Sequence, residues 1–178
     1  MIEITYVQLL IGITLLWILT RLIVGVKNKR FSIKRELQLL LVYICIIVIA
    51  RFVYFGFHLE HGRLSTMKFG LDEDSDVVYS LIPFFFLVDR YDGWLMNIIG
   101  NITMFIPVGI VWPVCFKKLD AIWKTVLAGA GFTLFIEVSQ LLCPERHTDI
   151  DDLILNTIGV LIGALIVFGI RKCKKEKV

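Results

Sequence analysis

Five long apolar runs constrain this chain more than any other feature of its sequence. They lie at about residues 4–25, 37–57, 94–116, 122–143 and 153–170. An α-helix needs about 20 residues to cross the hydrocarbon core of a bilayer, and each run is close to that length. The composition agrees, because 57% of the residues are hydrophobic and only 20% are charged. We therefore predict an all-α, polytopic transmembrane bundle of five helices, built as a single domain over residues 1–178 and located in the cell membrane.

The basic residues predict the orientation of this bundle. Fourteen of the 19 Lys and Arg residues lie in or beside the first connection, in or beside the third connection, or in the C-terminal tail. Positively charged connections are retained on the cytoplasmic side of a membrane. We therefore predict that the N-terminus is outside and the C-terminus is cytoplasmic. The outer loops would then be residues 58–93 and 144–152, and the longer one would carry an interfacial segment at residues 80–90.

Several function classes fit the sequence poorly. Basic helix ends are the ordinary signal of membrane topology and no aromatic residues alternate with them, so we expect no nucleic-acid partner. The four cysteines fall on different helices or the tail and form no C-x-x-C pair, so we expect neither a disulfide framework nor a metal site. We also expect no cofactor. The sequence leaves the oligomeric state open.

Polar side chains inside the apolar runs carry most of the functional information. A charged group at the centre of a membrane helix costs about 2.5–3.5 kcal/mol on insertion scales, so such a residue calls for a partner or a function. At 1.5 Å of rise per residue, all of these polar residues fall within roughly 11 Å of the outer interface. Four helices therefore bring polar groups to a common depth. The residues are Arg51, Asn97, Asn101, Glu137, Gln140 and Asn156.

The spacing of these residues predicts that they face one another. Residues three or four positions apart share one face of a helix. The amides of the third run are four apart, the acid and amide of the fourth are three apart, and two acids and an amide at the fifth follow at steps of three and four. We predict that these faces point inward and line a polar pocket beneath the outer loops. The predicted ligand-binding residues are Arg51, Asn97, Asn101, Glu137, Gln140, Arg146, Asp149, Asp152 and Asn156.

Structural roles compete with this functional interpretation. An acid at the start of the fifth helix, Asp151 or Asp152, would suit helix capping and the helix dipole. Glu137 could neutralise Arg51 if the two side chains reach each other. Intramembrane amides also join helices by hydrogen bonds, and glycines at G-x-x-x-G spacing, Gly159 and Gly163, predict close helix packing. A single residue therefore decides little, whereas the common depth on four helices favours a functional site.

Three segments occur in a specific order along the chain. They are NIIGNITMFIPVGI at 97–110, IEVSQ at 136–140 and RHTDIDDLILNTIGVLIG at 146–163. In this order they resemble the VanZ-like family of bacterial membrane proteins, and SLIPF at 80–84 is similar to another element of that family, with Ser80 in place of an asparagine. The resemblance implies a link to low-level resistance to the lipoglycopeptide antibiotic teicoplanin, and it implies no particular reaction. The matching positions are Asn101, Pro107, Gly109, Glu137, Gln140, Arg146, Asp149, Asp152, Asn156 and Gly159.

Three functions remain open at this point. In the first, the pocket binds a membrane lipid, a lipid-linked cell-wall precursor or a lipoglycopeptide, and the two arginines hold phosphate or carboxylate groups. In the second, an intramembrane enzyme acts on a lipid-linked phosphate: the candidate catalytic residues Glu137, Asp149 and Asp152 would hold Mg²⁺, and His147 would act as a general acid or base. The third is a transporter, although the chain has no inverted repeat and no polar path through the inner half of the helices.

Overall fold

Five α-helices make up most of the described structure, a computed structural model that covers residues 1–28, 32–55, 59–60, 63–64, 66–70, 79–80, 82–84, 93–144 and 148–175. All five are long and apolar enough to cross a membrane, which confirms the predicted helical bundle. The helices are α1 (Tyr6–Asn28), α2 (Ile33–Phe55), α3 (Trp94–Cys115), α4 (Ile122–Gln140) and α5 (Ile150–Lys175).

The helix ends differ from the predicted boundaries. α4 stops at Gln140, before the predicted end at residue 143, and α5 begins at Ile150 instead of residue 153 and continues to Lys175. α2 likewise begins four residues earlier than predicted, at Ile33. Hydropathy locates the apolar middle of a helix, whereas backbone hydrogen bonds continue through polar residues at either end. The connection between α4 and α5 therefore lies three residues earlier than the predicted loop at 144–152, and the last acids of that loop belong to the first turn of α5.

Short strands outside the helices were not predicted from the sequence. The strands are β1 (Ile2–Ile4), β2 (Leu59–Glu60), β3 (Arg63–Leu64), β4 (Met67–Phe69), β5 (Tyr79–Ser80) and β6 (Thr148–Asp149). β1 pairs with β4 and β2 with β3 in antiparallel fashion, while β5 pairs with β6 in parallel, placing Ser80 opposite Asp149. Most of the predicted interfacial segment at 80–90 lies outside the described residues.

The two ends of the bundle differ in the side chains that connect α3 and α5. At the polar end, where α3 and α5 begin, Asn101 of α3 donates a hydrogen bond to Asp152 of α5. At the basic end, where α3 and α5 finish, Arg171 of α5 donates to the carbonyl oxygen of Pro113 in α3. α2 runs antiparallel to α3. This direction is shown by Arg35, near the start of α2, which donates a hydrogen bond to the carbonyl oxygen of Cys115 at the end of α3.

Glycines bring α3 and α5 into close contact. A methyl group added at Gly109 would overlap the main-chain oxygen of Val160, and one added at Gly163 would lie 2.9 Å from the Cα of Gly109. One added at Gly159 would lie 3.1 Å from the carbonyl carbon of Ile102. The packing role predicted for Gly159 and Gly163 is therefore confirmed. In a bilayer, such close van der Waals contact is a main source of helix association.

The buried core joins α2 to α5, whereas α1 lies at the edge of the bundle. None of the membrane-spanning window of α1 is buried. Its hydroxyl–hydroxyl bond from Thr14 to Tyr43 of α2 is 2.7 Å long, and Arg21 forms an ion pair with Glu36 at 2.5 Å. The core residues between the other helices are Cys45, Ile49, Phe105, Val108, Ile136 and Val160.

Candidate functional site

An acid–amide group joins the first turns of α3 and α5 at the polar end. The Nδ2 atom of Asn101 donates to Oδ1 of Asp152 at 2.5 Å and to Oδ1 of Asn97 at 3.1 Å. The Nδ2 atom of Asn97 approaches the same Asp152 oxygen at 3.4 Å. The four-residue spacing on α3 turns both amides toward α5, as predicted. A single carboxylate oxygen therefore serves as acceptor for two amides.

Glu137 belongs to a second polar group, between α4 and the segment before α5. Its side chain is only 5% exposed. Its Oε2 atom accepts a hydrogen bond from the main-chain N–H of Asp149 at 3.2 Å, and its main-chain oxygen accepts one from the hydroxyl of Thr148 at 3.2 Å. Asp149 thus contacts Glu137 directly, and it precedes Asp152 by three positions at the start of α5. The two polar groups therefore form one site, which we call the polar cluster: Asn97, Asn101, Glu137, Asp149 and Asp152.

Asp151 is a site residue that the sequence analysis treated only as a helix cap. It is 3% exposed, and its Oδ1 atom accepts a hydrogen bond from the main-chain N–H of Phe84 at 2.5 Å. Its own N–H donates to Oδ1 of Asp149 at 2.9 Å, so Asp149 takes the capping role at the start of α5. Together with the β5–β6 pair, this bond ties the SLIPF element to the start of α5. The available signal for this contact in the sequence was that SLIPF and the segment at 146–163 both resemble elements of the VanZ-like family.

Two further buried amides, one on α4 and one on α5, each have an oxygen without a hydrogen-bond partner in the described part of the chain. Asn156 is 2% exposed; its Nδ2 atom donates to the hydroxyl of Thr133 at 2.8 Å, and its Oδ1 atom has no partner. Gln140 donates weakly to the carbonyl oxygen of Val53 at 3.5 Å, and its Oε1 atom has no partner. An unsatisfied buried acceptor costs about 1–3 kcal/mol. Packing alone gives no reason to retain two of them.

Of the two arginines predicted for the site, the structure describes Arg51. The guanidinium of Arg51 lies 5.7 Å from the ring centroids of both Tyr6 and Phe52. Glu137 instead takes its described hydrogen bonds from the 148–149 segment, so the suggested pairing of Arg51 with Glu137 is not the arrangement found among these residues. Arg146 and His147 lie outside the described residues.

A hydroxyl pair that the sequence analysis missed closes the α2 side of the polar end. The hydroxyl groups of Tyr54 and Ser139 share a hydrogen bond, and the hydroxyl of Ser139 also bonds the carbonyl oxygen of Ile136 at 2.6 Å. Ser139 lies between the two predicted site residues of α4, and Tyr54 follows Arg51 by one helical turn. Their positions beside predicted polar residues were the available signal.

The donor set of the cluster consists of carboxylate and amide groups. Within the described ranges, no three His, Cys, Asp or Glu side chains converge closely enough to hold a metal ion. Carboxylate and amide oxygens are instead spread along the inner faces of three helices. Such a surface accepts hydrogen bonds from hydroxyl, amide or amine groups.

Comparisons with known proteins agree with the geometry. No curated protein and no solved structure shows significant similarity to the chain. A family model, described as VanZ/LLP1, matches residues 39–171. The matched range begins within α2, so it leaves out the peripheral α1, and it contains every residue of the polar cluster. With most of its length matched, the chain belongs to the VanZ/LLP1 family and is a VanZ-like, multi-pass membrane protein.

Proposed function

We propose that the polar cluster, together with Gln140 and Asn156 one turn further along the same faces of α4 and α5, forms a pocket that binds the headgroup of a lipid, of a lipid-linked cell-wall precursor or of a lipoglycopeptide. The observation that carries the proposal is the pair of buried amide oxygens on Gln140 and Asn156 that have no partner in the described structure. A network selected only to hold helices together would satisfy its acceptors, because each unmet acceptor opposes folding. A ligand that brings hydrogen-bond donors would remove that cost.

The charge of the cluster narrows the chemistry of the ligand. Its titratable members, Glu137, Asp149 and Asp152, are all acids, and Asp151 adds a fourth acid, which is buried like Glu137. Sugar hydroxyls, peptide N–H groups and amines are suitable partners for carboxylates and amide oxygens. Phosphate would need a cationic partner, and Arg51 and Arg146 are the candidates. A sugar–peptide headgroup on a lipid anchor fits both sets of groups.

Membrane placement supports a lipid-anchored ligand. The cluster lies in the first eight residues of α3, in the last turn of α4 and at the start of α5, at one end of helices long enough to span a bilayer. The basic residues gather at the opposite end, so the positive-inside rule supports an outward-facing cluster. A ligand anchored in the outer leaflet would present its headgroup at this depth. This arrangement agrees with the link to low-level teicoplanin resistance that membership of the family implies.

The enzymatic alternative has less support from the geometry. It assigned Mg²⁺ to Glu137, Asp149 and Asp152, and these side chains do not converge on a point within the described residues. Glu137 already accepts a backbone N–H, and Asp152 already accepts two amides through one oxygen. Binding requires none of these groups to act as a base.

Glycopeptide susceptibility tests the proposed role in cells. Glu137→Ala and Arg146→Ala should each abolish any change in teicoplanin susceptibility that the protein confers, while the amount of protein in the membrane stays the same. The matched control is Glu36→Ala, which removes an acid from the opposite end of the bundle. Unchanged susceptibility in both site variants would contradict the proposal.

A further inference from the structure

Two arginines from different helices are fixed at the end of α3. Arg35 of α2 donates to the carbonyl oxygen of Cys115, and Nη2 of Arg171 in α5 donates to the carbonyl oxygen of Pro113 at 2.8 Å. Aromatic rings support both guanidinium groups: Arg35 lies 5.8 Å from the ring centroid of Phe116, and Arg171 lies 5.0 Å from that of Phe168. Both side chains are half-buried. Their positions are therefore set by the fold.

The positive charge of these arginines exceeds what their described partners neutralise. A backbone carbonyl carries no net charge, and the described bond of each guanidinium uses one of its five N–H donors. The acids described near this end already have cationic partners: Glu36, which also lies near Arg35, binds Arg21 at 2.5 Å, and Asp120 binds Lys124 at 2.6 Å.

Two more cations continue the positive surface. Lys117 and Lys118 are exposed in the turn that follows α3 directly. Arg35, Arg171, Lys117 and Lys118 together form what we call the basic site. The polar cluster lies at the other end of the same helices, so the two sites are separate.

We propose that the basic site binds the phosphate of an anionic phospholipid. Its four residues lie where membrane-spanning helices end, which is the level of lipid headgroups. Guanidinium groups match phosphate geometry with two parallel hydrogen bonds, and arginines held in place lose little further freedom on binding. Exposed lysines that merely follow the positive-inside rule would attract anionic lipids diffusely. Here, in addition to exposed lysines, the guanidinium groups of Arg35 and Arg171 are held in fixed positions by their hydrogen bonds to α3.

Lipid binding to the full-length protein in nanodiscs tests the site. The protein would be released from discs that contain equal amounts of phosphatidylglycerol and phosphatidylcholine, and native mass spectrometry would count how many molecules of each lipid stay bound to it. Wild-type protein should retain phosphatidylglycerol preferentially. In the Arg35→Gln, Arg171→Gln double variant the preference should fall about 30-fold, because each basic residue near a membrane surface contributes a factor of slightly more than about five in affinity.

The matched control removes the same charge elsewhere at the same end. Lys27→Gln with Lys174→Gln changes two exposed lysines outside the basic site. At about 0.5 M salt, where exposed charges are screened over only a few ångströms, this control should keep the wild-type preference and the arginine variant should not. Equal losses in both variants, or no preference in the wild type, would overturn the proposal.

A second variant keeps the test decisive if the arginine variant does not fold. Lys117→Gln with Lys118→Gln alters only exposed turn residues, so the bundle should remain intact. Its phosphatidylglycerol preference should fall several-fold at low salt, more than in the Lys27, Lys174 control. A preference equal to that of the control would contradict a site at this position.

Discussion

Replacing Gly109 with alanine tests the close contact between α3 and α5, on which the geometry of the polar cluster depends. The new methyl group would overlap the main-chain oxygen of Val160 and lie 2.8 Å from the nitrogen of Ala164. It would also lie 2.9 Å from the Cα of Gly163. All three neighbours are backbone atoms that cannot rotate away as a side chain could. The two helices must therefore move apart.

The free-energy cost follows from that movement. Overfilling a packed interface costs about 1–3 kcal/mol, and a gap on the order of 0.5–1 Å loses a quarter to a half of the dispersion attraction across it. The higher helix propensity of alanine offsets at most about 1 kcal/mol of this loss of stability. Because the overlap involves three backbone atoms, the cost belongs at the upper end of the range. We expect Gly109→Ala to lower the free energy of unfolding by about 2 kcal/mol.

Reversible unfolding in mixed detergent micelles, followed by the loss of helical signal, measures this effect. The matched control is Gly100→Ala in the same helix, where an added methyl group meets no atom within 4 Å. That substitution should leave the stability unchanged or raise it by up to about 1 kcal/mol. Equal stabilities of the two variants would refute the close approach of α3 and α5.

Two further substitutions test the hydrogen bonds of the polar end. Asp152→Ala removes the acceptor shared by two amides and should lower the free energy of unfolding by about 1–3 kcal/mol. Asn97→Ala removes the 3.4 Å contact and the 3.1 Å bond from Asn101 but keeps the 2.5 Å bond from Asn101 to Asp152, so it should cost less than Asp152→Ala; the reverse order in the same unfolding assay would contradict the network. Thr133→Val removes the described partner of Asn156 and should also lower the free energy of unfolding by about 1–3 kcal/mol. The control Thr103→Val removes an exposed hydroxyl that bonds within its own helix, and it should change the free energy of unfolding by no more than about 0.5 kcal/mol. Equal effects of the two substitutions would show that the bond to Asn156 contributes nothing.

The sequence predicted the five helices and the shared face of Asn97 and Asn101 well, because both depend on local patterns. Apolar length defines a membrane-spanning helix, and a spacing of three or four places residues on one face. Asn97 and Asn101 therefore face α5, where both contact Asp152, and Gly159 packs against α3.

Other features depended on contacts between distant segments, which local patterns do not contain. The bond from Phe84 to Asp151 joins residues 67 positions apart, and only the family resemblance placed both elements in one protein. Arg51 illustrates the same limit: common depth with Glu137 suggested an ion pair, whereas the rotation of α2 places its guanidinium over aromatic rings. Depth follows from counting residues, but the direction in which a helix face points is set by packing.

Native mass spectrometry of the purified protein tests the central claim most directly. Wild-type protein should carry a specific co-purifying lipid or lipid-linked molecule, and Glu137→Gln should lose it while remaining folded. The control Glu36→Gln makes the same chemical change at the opposite end and should keep the ligand. The same bound species on all three proteins, or none on the wild type, would contradict a headgroup-binding site at the polar cluster.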